Sequence, residues 1–198
     1  MAETAAHQVD CVIPRAPVRQ WVLSFPIPLR VLFASHPHLL APVLQIVHRV
    51  ISTFLILQTG LKRTQARTGA VTLIQRFGSA ANLNIHLHCL VLDGVYRGTE
   101  GVPVFHAVRA PTGGELQALL SRIIRRLMKL LTRKGYLIEE QGMAYLADTD
   151  PDLALGCRGW IPLPSGSSPQ ADNPPWSCTP LRRHNATDSG PISQRGHR

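Results

Sequence analysis

The chain has 198 residues and carries 21 Lys+Arg against 12 Asp+Glu, a net charge of +9 at neutral pH. This length holds one ordinary domain and a tail, which excludes a large multidomain protein, and the basic charge favours polyanionic partners such as nucleic acid. No run reaches the roughly 18 uninterrupted apolar residues of a membrane span, and the N-terminus lacks the apolar core of a signal peptide. We therefore expect a soluble, cytoplasmic protein with no membrane partner.

The first part of the chain predicts one strand followed by one long helix. Val18–Ser24 is an apolar-rich extended segment that ends before Pro26 and Pro28, since proline cannot donate a hydrogen bond to a sheet ladder. Apolar residues then recur at helical spacing over residues 38–58, and Gly60 is a plausible stop signal.

The middle of the chain predicts two strands and a second helix. Residues 71–77 and Leu83–Leu92 are extended segments separated by a turn at 78–82, and Asp93 with Gly94 forms a hairpin-type signal. Over residues 115–134 the apolar positions follow the i, i+3, i+4, i+7 pattern without a miss. The element order predicts an α+β domain with helices packed on an antiparallel sheet.

The composition changes near residue 150. Eight of the sixteen prolines lie in 151–198, and apolar periodicity stops there. Such a segment cannot bury enough apolar area to offset the chain entropy lost on folding. We expect a domain at 1–150 and a disordered tail at 151–198, in which the unpatterned Trp160 and Trp176 suggest out-of-frame translation. The four cysteines form no Cys-x-x-Cys pair and are expected to be free thiols.

Two histidines lie on one face of the strand predicted at Leu83–Leu92. Because side chains alternate along a strand, His86 and His88 project from the same side, and Leu87 and Cys89 from the other. Two neutral imidazoles at this spacing can reach one divalent metal ion. The alternative is a chance His-x-His with one exposed and one hydrogen-bonded ring. The apolar surroundings favour the metal, because two uncompensated rings are costly to bury.

A third metal ligand is then expected. Gln75 on the preceding strand is the candidate from its position, facing the same way as Leu73 and Phe77 in a regular strand. An ordinary hydrogen-bonding role for this amide is the alternative. Asp93 is a second candidate and is more simply interpreted as a turn residue.

The segment around these histidines resembles a known family. Residues 69–96, which include Gln75 and the His86-Leu87-His88 motif, are similar to the core of rolling-circle insertion-sequence transposases of the two-tyrosine HUH type, including those of the common-region elements that move resistance genes. The resemblance extends over about residues 1–150. It implies an HUH nuclease-like fold, in which an antiparallel sheet carries a His-hydrophobe-His strand and helices pack on it.

The resemblance also implies an activity. In the family, the His-hydrophobe-His motif binds Mg²⁺ or Mn²⁺, which polarises a phosphate of single-stranded DNA at the end of the mobile element. A tyrosine on a later helix attacks this phosphate and leaves a 5′-phosphotyrosine and a free 3′-hydroxyl. Carried over to this sequence, His86 and His88 are the metal pair and Leu87 is the hydrophobic spacer.

Two parts of the family pattern have no match in this sequence. The catalytic tyrosines of the family lie downstream of the stretch that ends near Tyr145, so neither Tyr96, Tyr136 nor Tyr145 is assigned as nucleophile. The family's cysteine-rich zinc-binding region precedes the segment that matches here, and it has no counterpart. We interpret the sequence as a fragment truncated at both ends and inactive alone.

The helix predicted at 115–134 is a second functional candidate. Its cations could contact DNA phosphates or could form an ordinary solvated face. They are Arg122, Arg125, Arg126, Lys129 and Arg133. Two other functions therefore stay open, a non-enzymatic nucleic-acid-binding fragment and a small hydrolase that uses metal-bound water at the histidine pair.

A second His-x-His, His36-Pro37-His38, lies where a helix begins and is not expected to bind metal.

Overall fold

The computed structural model describes residues 16–78, 83–98, 102–140, 143–147, 160–161 and 177–183. Within these residues the α-helices are α1 (Ile27–Ser35), α2 (Leu40–Gln58) and α3 (Gly113–Arg133), and a 3-10 turn at Pro37–Leu39 precedes α2. The strands are β1 (Val18–Ser24), β2 (Ala66–Arg67), β3 (Ala70–Phe77), β4 (Leu83–Leu92), β5 (Gly94–Arg97), β6 (Val104–Ala107), β7 (Leu137–Glu140), β8 (Met143–Leu146), β9 (Trp160–Ile161) and β10 (Ser177–Arg183).

The main sheet has four strands in the order β10-β1-β4-β3, and every neighbouring pair is antiparallel. Two smaller antiparallel sheets have the orders β2-β5-β6 and β7-β8-β9. The predicted α+β class is confirmed, and β1 and β4 have the bounds that the sequence predicted. β3 pairs with β4 in the antiparallel sense, in agreement with the predicted antiparallel sheet, although residues 79–82 of the expected turn lie outside the described residues.

One face of the main sheet forms the floor of the protein core. Trp21 and Leu23 of β1 and Leu87 and Cys89 of β4 are at most 2% exposed and pack with the apolar faces of the helices. These residues alternate with half-buried neighbours along both strands. The alternation explains why the sequence predicted these strands well, since a half-buried strand has a period of two.

Helix α2 is long and apolar enough to be compared with a membrane-spanning helix. Residues Pro37–Gln58 have the length and composition of a membrane span, although polar residues and a proline interrupt the apolar run. The helix also contributes to the core of the protein, where Val43, Val47 and Ile51 are each 1% exposed. We therefore interpret α2 as a core helix, and the cytoplasmic location stays a prediction.

Helix α1 was not predicted from the sequence. Pro26 and Pro28 were interpreted only as residues that end β1. In the structure Pro26 is the N-cap residue and Pro28 lies in the first turn, where the missing amide hydrogen costs no intrahelical bond. The same prolines that stop the strand therefore also start the helix.

The interpretation of Asp93 and Gly94 as a hairpin turn is wrong. Gly94 begins β5, which pairs with β2 and β6 rather than folding back on β4. A Cβ atom at position 94 would lie 2.3 Å from the carbonyl oxygen of His106, so the residue is glycine because β6 approaches closely. The carboxylate of Asp93 accepts two hydrogen bonds from the buried guanidinium of Arg19.

Two segments of the region expected to be a disordered tail are strands. β10 pairs with β1 along its full length, from Val18 opposite Arg183 to Ser24 opposite Ser177, and β9 pairs with β8. For residues 160–161 and 177–183 the expectation of disorder is therefore wrong, and it failed because edge pairing depends on a partner strand far away in the chain. The other residues of 148–198 lie outside the described part, and the division at residue 150 stays a prediction.

Candidate metal centre

The histidine pair lies on the face of the main sheet that points away from the helices. Ile85, Leu87 and Cys89 of β4 are buried in the core, and the alternating His86 and His88 are only half-buried. Opposite residues of antiparallel strands share a face of the sheet. The surface that carries the histidine pair therefore also includes the residues of β1 and β3 that lie opposite the pair, and we call this surface the open face. These opposite residues are Val22, Ser24, Leu73 and Gln75.

The two imidazole rings are close together. Their centroids are 4.8 Å apart and their planes are tilted by 58°. His86 Nδ1 lies 2.8 Å from the backbone carbonyl oxygen of Asn84, which can only accept, so Nδ1 carries the proton. The Nε2 atom of His86 therefore carries a lone pair, which is the form of the ring that can ligate a metal.

His88 is held on both sides by glutamine amides. The Gln20 amide nitrogen donates to His88 Nδ1 at 2.8 Å, and His88 Nε2 then donates to Gln75 Oε1 at 3.2 Å. The Gln75 amide nitrogen in turn donates to the carbonyl oxygen of Phe77 at 3.0 Å. This chain of hydrogen bonds fixes the orientation of the His88 ring and of the Gln75 oxygen.

The structure places Gln75 where the sequence suggested, beside the histidine pair. It lies opposite His86 in the register, and a β-bulge follows between Gln75 and Phe77, so the strand is not regular as the sequence argument assumed. Gln75 already makes the hydrogen bonds of the alternative interpretation. A cation that replaced the His88 Nε2 proton would meet the same Gln75 oxygen.

Gln20 is a residue of this site that sequence reasoning did not single out. It lies 68 residues from His88 in the chain and reaches the histidine because β1 pairs with β4. The available signal was the alternation in β1, which gives Gln20 an outward position between buried neighbours. The alternation alone does not identify the strand that pairs with β1.

The environment of His88 favours its neutral form. Burial lowers the pKa of His88, and the neighbouring His86 lowers it further. A neutral imidazole is the ligating form, whereas an imidazolium has no free lone pair.

The donor set at this point consists of two imidazole nitrogens and one amide oxygen. No cluster of three or more His, Cys, Asp or Glu side chains with the geometry of a metal site is found among the described residues. Asp93, the weaker sequence candidate, lies 2.7 Å from Arg19 in a buried ion pair and does not join the histidines. The three donors fit a divalent ion that keeps further positions for water or substrate oxygens.

The open face forms a shallow cleft beside the histidines. The cleft has a volume of about 290 Å³ and is lined by Gln20, Leu73, Gln75, His88 and Leu90, together with Ile74. Leu73 is 53% exposed. The side chains that line the cleft carry no formal charge and include no aromatic ring other than the His88 imidazole.

The tyrosines with described side chains lie elsewhere. Tyr96 packs on Phe105 with ring centroids 5.0 Å apart, near a small cluster of apolar residues. Tyr136 packs against the main core on the helix side of the sheet and contacts His36 and His38. Tyr136 does not share the open face with the histidine pair, and Tyr96 packs beside Val18 and Leu92 at the far end of that face, four residues along β4 from His88. Tyr145 lies in β8, and its side chain is outside the description.

The basic residues of α3 are not brought to the histidine pair. The apolar side of α3 packs in the core with the inner face of the main sheet, so its exposed side points away from both. The sequence-predicted cations are all on that exposed side: Arg122, Arg125, Arg126, Lys129 and Arg133. In the described part of the chain, none of them forms a salt bridge. They make a separate cationic surface on the opposite side of the protein.

The comparisons with known proteins bear on the segment that carries the histidines. Residues 69–157 match the model of a protein family described as "Putative transposase". This match supports a relationship of the chain to a transposase family. The matched segment is a little under half of the chain and includes both the histidine pair and α3. Neither a curated protein nor a solved structure matches the chain.

Proposed function

We propose that this protein is the metal-binding and DNA-docking part of a rolling-circle transposase of the two-tyrosine HUH type. Its substrate would be single-stranded DNA at the ends of a mobile element. The observation that carries the proposal is the pair of imidazoles beside an amide oxygen on an uncharged, accessible sheet face, inside the segment that matches a transposase family.

Each of the named side chains has a separate role in this proposal. His86 offers its free Nε2 lone pair, and His88 offers Nε2 once a cation replaces its proton. Gln75 contributes Oε1. Gln20 keeps the His88 ring in place, and after an amide flip its oxygen accepts the proton of His88 Nδ1. When bound, the metal supplies Lewis-acid polarisation of the scissile phosphate and a template for its oxygens.

The donor set predicts a preference among metals. Mg²⁺ takes mainly oxygen ligands and retains its waters, whereas ions later in the first transition row accept imidazole nitrogen more readily. A site with two imidazoles and one amide oxygen should therefore bind Mn²⁺ more tightly than Mg²⁺.

The same arrangement predicts binding without strand cleavage. Attack on the phosphate needs a tyrosine hydroxyl close to the histidine pair. Among the described side chains, Tyr136 packs on the helix side of the sheet, and Tyr96 packs beside Val18 and Leu92, away from the histidines. We expect the chain to dock single-stranded DNA in the presence of Mn²⁺ and to form no covalent phosphotyrosine adduct. Hydrolysis of the DNA without an adduct would favour the metal-bound-water hydrolase instead.

The test is calorimetric titration of Mn²⁺ and Mg²⁺ into the full chain and into His86→Ala/His88→Ala. The wild type should bind Mn²⁺ more tightly than Mg²⁺, and the double variant should lose Mn²⁺ binding. Gln20→Ala should weaken Mn²⁺ binding about 10- to 100-fold, the usual effect of removing a side chain that orients a ligand.

The matched control is His106→Ala, which removes a half-buried imidazole from β6 without touching the open face. It should leave Mn²⁺ binding unchanged, and circular dichroism should show all variants to be folded. The proposal would be contradicted if His86→Ala/His88→Ala bound Mn²⁺ with the same affinity as the wild type.

A non-enzymatic nucleic-acid-binding function is the second candidate, and the unpaired cations of α3 favour it. In that case single-stranded DNA binding would depend on salt and on α3 but not on Mn²⁺ or the histidine pair. Fluorescence anisotropy of labelled single-stranded DNA, with and without Mn²⁺, separates the two functions.

A further inference from the structure

A cluster of two histidines and a tyrosine lies on the other side of the main sheet. His36 follows α1, His38 lies in the 3-10 turn before α2, and Tyr136 comes shortly after the end of α3. The Tyr136 hydroxyl and His38 Nε2 form a hydrogen bond of 3.2 Å, although these residues are 98 positions apart in the chain. The His36 ring is 4.9 Å from the Tyr136 ring and 5.8 Å from the His38 ring.

We propose that His36, His38 and Tyr136 form a binding site for a borderline transition-metal ion of the Zn²⁺ class. The proposal goes beyond the proposed function and does not depend on it, because none of these residues lies on the open face. Imidazole nitrogens with a phenol oxygen form a donor set that Zn²⁺ accepts, whereas Mg²⁺ prefers oxygen alone.

One ring nitrogen of His36 lacks a hydrogen-bond partner among the described residues. This atom, Nδ1, is buried. Buried polar atoms of side chains normally have a partner, and an orphan atom is explained by a bound ion or water. A cation on this nitrogen would replace the hydration that burial removes.

The distances between the three side chains can be compared with those between the ligands of one metal ion. Two ligands held at about 2.1 Å from one tetrahedral ion are roughly 3.4 Å apart. The distance of 3.2 Å between His38 Nε2 and the Tyr136 hydroxyl is close to that value. Two imidazoles on one tetrahedral ion have ring centroids roughly 5.3 Å apart at the same bond length, so the His36 and His38 rings, at 5.8 Å, would have to approach each other by about half an ångström.

The charges around the cluster and its exposure to solvent both affect whether a cation can bind there. α1 ends at Ser35, immediately before His36, and the carbonyl groups at a helix C-terminus favour a cation. Arg133 and Lys134 at the end of α3 oppose it, but both are exposed to solvent and therefore screened. His38 is exposed as well, so an ion can reach the cluster from solvent.

The test is Zn²⁺ titration in the background His86→Ala/His88→Ala, which removes the other histidine pair. One equivalent of Zn²⁺ should still bind, and adding His36→Ala/His38→Ala should abolish this binding. Tyr136→Phe, which keeps the ring packing but removes the hydroxyl, should weaken Zn²⁺ binding about 10- to 100-fold. His106→Ala is the matched control and should bind Zn²⁺ normally.

A second measurement covers the case in which the multiple variants do not fold. In the wild-type chain, Zn²⁺ should shift the imidazole nitrogen resonances of His36 and His38 in the NMR spectrum and raise the thermal midpoint. Absence of these shifts at saturating Zn²⁺, or Zn²⁺ binding that survives the loss of both histidines, would overturn the proposal. Loss of Mn²⁺ binding at the open face has no bearing on it.

Discussion

At the scale of single residues, the ion pair between Arg19 and Asp93 ties β1 to the junction of β4 and β5. The guanidinium donates from Nε at 2.8 Å and from Nη2 at 2.7 Å to the two carboxylate oxygens. Arg19 is 5% exposed and Asp93 is 3% exposed. Both charges are therefore desolvated, and each one compensates the other only while both are present.

We predict that Asp93→Ala destabilises the fold by about 3–5 kcal/mol, because it leaves a buried guanidinium without its carboxylate. The double variant Arg19→Met/Asp93→Ala should be more stable than Asp93→Ala, since it removes the uncompensated charge. Urea denaturation gives both free energies of unfolding. A double variant that is no more stable than Asp93→Ala would show that the uncompensated guanidinium is not the cause of the destabilisation.

At the scale of secondary-structure elements, the start of α3 is held by a capping box. The Thr112 side chain accepts from the backbone amide of Glu115, and the Glu115 carboxylate accepts from the backbone amide of Thr112 at 2.8 Å. Arg109 donates to both oxygens of the same carboxylate. The hydrogen bond from Arg109, followed by that from Thr112, lowers the pKa of Glu115 from 4.5 to about 2.

A pH dependence with a definite sign follows from this lowered pKa. The ionised form is favoured in the folded state, so its contribution to stability is complete above pH 4.5 and is lost as the pH falls towards 2. We predict that Glu115→Gln loses less stability than the wild type over this range, measured by thermal unfolding.

NMR titration of the Glu115 carboxyl provides the direct control for this prediction. The pKa of Glu115 should lie well below 4.5 in the wild type and should rise in Arg109→Ala, which removes the first cause of the shift. A wild-type carboxyl that titrates near 4.5 would show that the capping box and Arg109 do not hold the ionised form.

At the scale of the whole molecule, two surfaces with different chemistry lie on opposite sides of the protein. Around the histidine pair the open face is lined by Val22, Ser24, Leu73 and Gln75, none of which is charged, whereas the outer side of α3 is cationic. A DNA strand docked on the open face therefore does not contact α3 unless it passes around the domain. Phosphate attraction and metal binding should be separable by mutation.

We predict that Arg122→Ala/Arg125→Ala/Lys129→Ala lowers the slope of log K against log salt for single-stranded DNA by about 2, because roughly 0.7 is expected per phosphate contact. The affinity for Mn²⁺ should not change. Fluorescence anisotropy over a salt series and calorimetry measure the two quantities.

The matched control is Arg49→Ala/Arg63→Ala/Arg67→Ala, which removes the same charge from the region of α2 and β2. It should change the slope less than the α3 variant does. Equal slopes in the two variants would mean that net charge, rather than the surface of α3, determines DNA binding.

Features that depend on neighbours along the chain could be predicted without the structure. The alternation in Leu83–Leu92 placed His86 and His88 on one face, and the helical spacing over residues 115–134 separated an apolar side from a cationic side. Periods of two and of 3.6 residues follow from local backbone geometry, so they can be predicted without knowing the partners.

Contacts between residues that are far apart in the chain became known only from the three-dimensional fold. Strand pairing brought Gln20 to His88 and Arg19 to Asp93, and helix packing brought Tyr136 to His38. The fold also made Ser177–Arg183 an edge strand and directed α3 away from the histidine pair. Register and packing depend on surfaces that are far apart in the chain, and local periodicity carries no information about them.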